Sequence, residues 1–258
     1  MSYSVSYANH AQHKCGVGGS GGSPVTTPPS GMLLWLAGAD IPGTNGAAIS
    51  SWPDSSGNGL NATAAGAQRP TKQSASTING KPAAAFDNTQ QQFFDLPTGF
   101  ADFTAGLELY IVHAPVDDFA QGLALLGLSN NAIDSAFTFL IDTSNDATGM
   151  IALQPGATIL AATGVQPYAP CILNCRIPAG AAGSAVTGNV LLNGSSIASG
   201  AFVVPNNTAR NLNFVGNDAI PGVDKYEGLI AEVILYATTL TAPQRAQVAA
   251  YLFNRYGI

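Results

Sequence analysis

Charge is what this sequence has least of. Asp, Glu, Lys and Arg together make up 9% of its 258 residues, against roughly 25% in an ordinary soluble domain. Ser, Thr, Asn, Gln and Gly must therefore supply most of the polar surface. The nine Lys and Arg are scattered singly, and with fifteen Asp and Glu they leave a net charge of −6. Without a basic stripe to follow a phosphate backbone, nucleic acid is excluded as an expected partner. Cysteine is scarce too, and three is an odd number that argues against a disulfide framework. Cys171 and Cys175, in the run Cys-Ile-Leu-Asn-Cys, would share one strand face roughly 13 Å apart, too far to bridge, and are expected to be buried thiols. No apolar stretch reaches transmembrane length, and the first thirty residues hold no continuous apolar segment of the signal-peptide kind. The expectation is a chain made in the cytoplasm, soluble there and not inserted in a membrane.

Catalytic patterns are missing as well. Glycosidases need two carboxyl groups at a controlled separation. The chain has only three Glu, and Glu227 and Glu232, five residues apart, would face opposite sides of a regular strand. Asp117-Asp118 meets the same objection. His113 is the one histidine beyond the first thirty residues; it lies in the run Leu109-Tyr110-Ile111-Val112-His113 with no Gly-x-Ser-x-Gly elbow nearby. A hydrogen-bonded histidine near a strand end is the expected role.

What is present is a β pattern closed by a helix. Lys225 to Tyr236 reads as one strand, with Leu229, Ala231, Val233 and Leu235 on one face and Ile230, Glu232, Ile234 and Tyr236 on the other, both largely apolar and so both covered. Thr241 to Tyr256 reads as an amphipathic helix: Thr241-x-x-Gln244 forms a capping box, Pro243 sits in the first turn and Gly257 follows the end. Val248, Tyr251, Leu252 and Tyr256 make its apolar stripe, with Arg245, Gln247 and Asn254 opposite. Short strand candidates recur before it, at 33–37, 83–86, 107–113, 123–128, 136–141, 171–177, 190–192 and 212–215, as a sandwich requires. Asn79-Gly80 and Asn193-Gly194 suit type I′ hairpin turns. Residues 1–30, Gly/Ser-rich from Gly16 to Ser23 and then rich in Pro, read as an arm, leaving 31–258 as the domain. Such an arm has no core of its own, so its expected partners are other proteins of an assembly or copies of the same chain. Within it, His10-x-x-His13-x-Cys15 has ligand types that suit zinc or copper, yet a fourth ligand is not evident, and no metal is expected there.

Several segments together resemble the concanavalin A-like lectin/glucanase superfamily, specifically its laminin-G-like jelly-roll members of bacterial surface proteins and phage virions. They are Leu34-Trp35-Leu36, the stretch Ser51-Trp52-Pro53-Asp54-Ser55-Ser56-Gly57-Asn58-Gly59-Leu60-Asn61-Ala62-Thr63, Arg69-Pro70-Thr71, Ile78-Asn79-Gly80-Lys81-Pro82 running to Phe86-Asp87, and the C-terminal strand and helix. The resemblance implies an all-β fold, two antiparallel sheets packed as a jelly roll with one short C-terminal helix. It implies no single function, since this fold hosts lectins, glycosidases and structural modules. The Glu-x-Asp-x-Glu strand motif of the superfamily's glucanases is absent.

Two readings of the Trp52 stretch stand side by side. Trp52, Asp54, Asn58 and Asn61 are residues that sugar sites use, an aromatic plate for pyranose C–H faces and side chains for hydroxyls. Asp54 to Gly59 is equally a turn in which Asp54 caps backbone donors while Trp52 packs at the core edge, and turn chemistry accounts for every residue. Some laminin-G-like relatives bind calcium at a sheet rim, which makes Asp54, Asp87, Asp142 and Asp146 candidate donors, although no regular oxygen spacing accompanies them. The sequence leads to a non-catalytic structural or adhesive virion protein, a capsid decoration or tail appendage anchored by residues 1–30. The alternatives are a carbohydrate-binding lectin module of a bacterial surface protein, and a polysaccharide hydrolase.

Overall fold

A computed structural model describes residues 24–115, 123–130, 137–142, 147–152, 158–163, 169–218 and 225–258, with residue 123 and the three segments between 137 and 163 described by backbone alone. The strands in chain order are β1 (Leu34–Ala37), β2 (Ser51–Trp52), β3 (Ala62–Thr63), β4 (Thr71–Gln73), β5 (Ala83–Phe86), β6 (Phe94–Leu96), β7 (Leu107–Pro115) and β8 (Leu123–Ser129). They continue as β9 (Phe137–Asp142), β10 (Ala147–Ala152), β11 (Thr158–Thr163), β12 (Cys171–Ile177), β13 (Ala185–Leu192), β14 (Ser195–Val203), β15 (Leu212–Val215) and β16 (Gly228–Tyr236), before helix α1 (Ala242–Tyr256). The first sheet runs β14-β13-β12-β7-β16-β5-β4, with β1 also paired to β16, and the second runs β11-β10-β9-β8-β15-β6-β3-β2. Every neighbouring pair is antiparallel, so the expected two-sheet β-sandwich with one C-terminal helix is the observed architecture.

Between the sheets, Leu109, Ile111, Leu173, Cys175, Val233 and Leu235 of the first meet Trp52, Phe94, Leu126, Leu128 and Val215 of the second. A second core lies on the far side of the first sheet, where Tyr110, Val112, Ile234 and Tyr236 are covered by Val248, Tyr251, Leu252 and Tyr256 of α1. At about 1.5–3 kcal/mol for each large apolar side chain removed from water, this explains why β7 and β16 are buried along their whole lengths. The helix ends as its sequence dictates: Thr241 N–H donates to Gln244 Oε1 at 2.9 Å, and Gly257, left-handed at φ 71°, donates its N–H to the Phe253 carbonyl at 2.8 Å. Pro28 and Pro29 are buried beside α1, where Tyr236 Oη donates to the Pro29 carbonyl at 2.8 Å.

Three local expectations need correction. A bulge between Ile230 and Glu232, opposite His113 and Val112 of β7, breaks the period of two. Ile230, Val233 and Leu235 therefore face the inter-sheet core, while Leu229, Ala231, Ile234 and Tyr236 face α1. Second, Arg245 does not stay on the solvent side of the helix but reaches back to Glu108 on β7, its Nε donating at 2.7 Å. Third, Asn193-Gly194 forms the tight β13–β14 turn, with φ of 47° and 80°, whereas Asn79-Gly80, at 47° and 67°, makes its two-residue turn, closed by Lys81 N–H on the Ile78 carbonyl at 2.9 Å, inside a longer β4–β5 connection, since β4 ends at Gln73 and β5 begins at Ala83.

Candidate functional site

The Trp52 stretch forms the β2–β3 connection, and its residues are turned to structural use. Trp52 is 0% exposed; its indole Nε1 donates to the Ala37 carbonyl at 2.9 Å and its ring meets Phe94 edge-on. It has no face to offer a sugar, which corrects the stacking reading. Asp54 is saturated: Oδ1 accepts from Trp35 N–H at 3.0 Å and Ser56 N–H at 2.9 Å, while Oδ2 accepts from Ser56 Oγ at 2.8 Å and Leu60 N–H at 2.9 Å. Asn61 Oδ1 accepts from Asp54 N–H at 2.8 Å, and Asn58 Nδ2 donates to the Met32 and Leu33 carbonyls, both at 2.9 Å. Gly57 and Gly59 supply the positive φ that the turn needs. A sugar hydroxyl or a calcium ion would have to displace these bonds. Asp54→Ala is accordingly expected to lower stability by about 1–3 kcal/mol by stripping several backbone donors of their acceptor, measured by urea denaturation.

The glutamates are likewise engaged. Glu232, fully buried, accepts from Trp35 Nε1 at 2.6 Å and Tyr251 Oη at 2.5 Å, with the Tyr256 hydroxyl against its other oxygen and Arg255 Nε at 3.4 Å. Desolvation holds its carboxyl above the ordinary range, although the three donors and Arg255 pull it down. Glu108, also fully buried, takes Leu240 N–H at 3.0 Å, Tyr110 Oη at 2.9 Å and the Arg245 guanidinium, with Arg176 Nε at 3.7 Å. Both carboxylates thus anchor α1 to the first sheet. Glu227 precedes β16 and does not share its strand. Asp87 caps a single 3₁₀ turn through Thr89 and Gln90. Among the described residues no three His, Cys, Asp or Glu side chains come together as a metal site. His10, His13, Cys15, Asp117, Asp118, Asp146 and the side chain of Asp142 lie outside the described residues.

His113 sits in a buried chain on the inner side of β7. Its Nε2 is 3.3 Å from Cys171 Sγ, its Nδ1 is 3.1 Å from Tyr226 Oη, and that hydroxyl is 3.2 Å from the Leu229 carbonyl. The Leu229 carbonyl can only accept, so the tyrosine proton points there. His113 Nδ1–H then donates to Tyr226 Oη, and Nε2 accepts the Cys171 thiol proton. Burial pushes the imidazole down to about 3 and the Cys171 thiol up to about 12. Both groups are therefore neutral, the opposite of a thiolate–imidazolium nucleophile.

The exposed functional groups that converge lie elsewhere, on the outer face of the second sheet. Phe94 and Leu96 of β6 point inward, which sends Phe93 and Asp95 outward; on β15, Asn213 and Val215 are buried and Phe214 faces out. Phe93 and Phe214 are half-buried and meet edge-on, with centroids 5.4 Å apart. The register Ser51–Thr63–Asp95–Phe214–Gly127 runs straight across β2, β3, β6, β15 and β8, roughly 19 Å at ordinary strand spacing. Thr63 and Asp95 are exposed, Ser51 is half-buried, and Gly127 places no side chain beside Phe214. Desolvation raises the Asp95 carboxyl above its ordinary value. The row therefore combines an aromatic platform with flanking hydroxyl and carboxyl groups. Sequence periodicity does not mark it, because Leu212–Val215 carries apolar residues on both faces; the available signal was Phe93-Phe94-Asp95-Leu96, where alternation leaves one phenylalanine outside. A separate cavity of about 410 Å³ opens at the end of the first sheet between Ala85, Phe86, Ala114, Pro115 and Leu229, and no titratable side chain lines it.

No family model and no curated protein sequence matches the chain. Solved structures do. Domain 4 of AbnA, a GH43 extracellular arabinanase from Geobacillus stearothermophilus, in complex with arabinotriose, superposes with a TM-score of 0.58 at 16% identity, covering 84% of this chain and 98% of that one. Trypanosoma rangeli sialidase in complex with sialic acid follows with a TM-score of 0.52 at 16% identity, covering 88% of this chain but only 34% of the sialidase. The two-sheet β-sandwich is thus a fold that this chain shares with both structures.

Proposed function

We propose that the chain is a non-catalytic carbohydrate-binding sandwich that holds a glycan on the outer face of its second sheet. The observation that carries this reading is the half-buried, outward-facing Phe93–Phe214 pair with Asp95 and Thr63 in register beside it, since aromatic faces take the C–H side of a sugar ring while oxygens take its hydroxyls. The likeness to a domain solved with arabinotriose supports it. So does the use of Glu108 and Glu232 as anchors for α1, which leaves them unavailable as an acid–base pair. A virion setting draws no support from the fold or its neighbours: residues 1–23 lie outside the described residues, and Pro28 and Pro29 are held by the domain itself.

Affinity electrophoresis in gels cast with plant and bacterial polysaccharides tests the reading, with product analysis by chromatography. Retardation in at least one gel is expected, abolished by Phe214→Ala, with no oligosaccharide released. Released sugar would make the protein a hydrolase; unaltered mobility in every gel would remove the binding reading.

A further inference from the structure

We infer that the outer face of the second sheet selects neutral glycans and rejects sialylated, uronate-bearing or sulfated ones. This rests on the carbohydrate-binding reading above and adds the class of ligand.

The argument comes from where the cations are. Between Lys81 and Arg176 the chain contains no Lys or Arg at all, while holding more than half of its fifteen Asp and Glu. That stretch supplies β6, β8, β9, β10 and β11, and the remaining strands of the second sheet, Ser51–Trp52, Ala62–Thr63 and Leu212–Val215, contain none either. Every strand of the second sheet is thus free of positive charge, including those described by backbone alone.

Of the nine cations, Lys14 lies outside the described residues, Lys81 lies in the β4–β5 connection and Lys225 pairs with Asn217 past the end of β15; the other six make the following bonds. Arg176, Arg245 and Arg255 lie on the helix side of the first sheet, paired with Glu108 and Glu232. Lys72 is on β4 of the first sheet, its Nζ donating to the Ile41 carbonyl at 2.5 Å. Arg210 is fully buried among the carbonyls of Phe100, Ala101 and Asn206. Arg69 follows Gln68, whose carbonyl accepts from Phe93 N–H, and its Nε donates to the Gly66 carbonyl at 2.9 Å.

Recognition of a carboxylate or sulfate relies on charge-assisted, usually bidentate, bonds from arginine or lysine. None is available on the strands here, and Asp95 stands directly opposite Phe214 in the register. An anionic substituent over the aromatic pair would meet a like charge with no counter-ion on the strands of this sheet to offset it. Asp95 can instead accept from neutral hydroxyls, with Thr63 beside it as donor or acceptor.

The test is a microarray carrying neutral arabino-, gluco-, galacto- and manno-oligosaccharides together with sialylated, uronate and sulfated oligosaccharides, probed with the full chain. Hits are expected among the neutral glycans only, with acidic glycans sharing the same core at least tenfold weaker. Asp95→Asn, a change at an exposed position, should weaken the neutral hits several-fold with an unchanged melting temperature, and Arg69→Gln should leave them as they are. Acidic hits that fade between low and high salt, or neutral hits indifferent to Asp95→Asn, would overturn the inference while the binding reading stands. An array blank for every glycan would remove the binding reading and the inference with it.

Discussion

Replacing Glu232 by alanine is expected to cost about 3–5 kcal/mol of folding stability, the range for breaking a buried charged network by removing one partner. The carboxylate is fully buried and gathers Trp35 Nε1 from β1, Tyr251 Oη and Tyr256 from α1, and Arg255. Alanine leaves Trp35 Nε1 and Tyr251 Oη without that acceptor beneath α1, and each orphaned donor carries its own desolvation cost. Glu232→Gln is expected to lose far less, about 1 kcal/mol. Its carbonyl oxygen can take over the bonds from Trp35 and Tyr251, while the Tyr256 hydroxyl has a second acceptor, the Ala231 carbonyl at 3.1 Å. Urea denaturation followed by tryptophan fluorescence measures both variants. A Glu232→Ala protein within about 1 kcal/mol of the parent would mean that α1 is held by its apolar stripe and the Glu108–Arg245 pair without a contribution from Glu232.

The second large effect is acid lability centred on His113. Its folded value is depressed to about 3 from 6.5, with burial as the cause. The unfolded chain therefore binds a proton below about 6.5 that the folded chain refuses until about 3, so stability is lost as pH falls through that window. At about 1.4 kcal/mol per pH unit the loss approaches roughly 4 kcal/mol near the bottom of the window. The hydrogen-bond chain gives the reason: protonation would turn Nε2 into a donor facing the Cys171 thiol proton, with no acceptor inside the core. Glu232 works in the other direction. Its folded value is raised by desolvation, so ionisation penalises the fold, and stability falls as pH rises from the ordinary carboxylate value through the raised one. Measuring the pH series in the Glu232→Gln background removes that opposing slope. There, His113→Gln should flatten the remaining dependence between about pH 6 and 4; an unchanged slope would assign the lability to other groups.

The candidate site was poorly legible in the sequence, and the reason is specific. Trp52, Asp54, Asn58 and Asn61 have the chemistry of a sugar site, but the same chemistry builds a pinned loop, and only the neighbours decide which applies. Asp54 is used up because Trp35 and Leu60 come to it from either side. Trp52 is used up because Phe94 and the Ala37 carbonyl close around it. Conversely, 212–215 is legible as a strand but its faces are not, and Phe214 turns outward because Asn213 is pinned inside by the Pro97 and Arg210 carbonyls at 2.9 and 2.8 Å. The outward-facing, half-buried phenylalanine is a by-product of that buried amide.

By itself the sequence determined what is local. The capping box, Pro243 and Gly257 delimit α1 because their hydrogen bonds close within a few residues, and strands such as Ala83–Phe86, Cys171–Ile177 and Leu212–Val215 are bounded by composition and turns alone. Low charge was also plain. Tertiary structure decided which side of each strand is inside. A period of two defines two faces without saying which one the protein buries, and one bulge at Ala231 reassigns residues that a regular count had placed. It also decided that Glu232 answers to Trp35, 197 residues earlier, since no local pattern records a partner that only sheet pairing brings near.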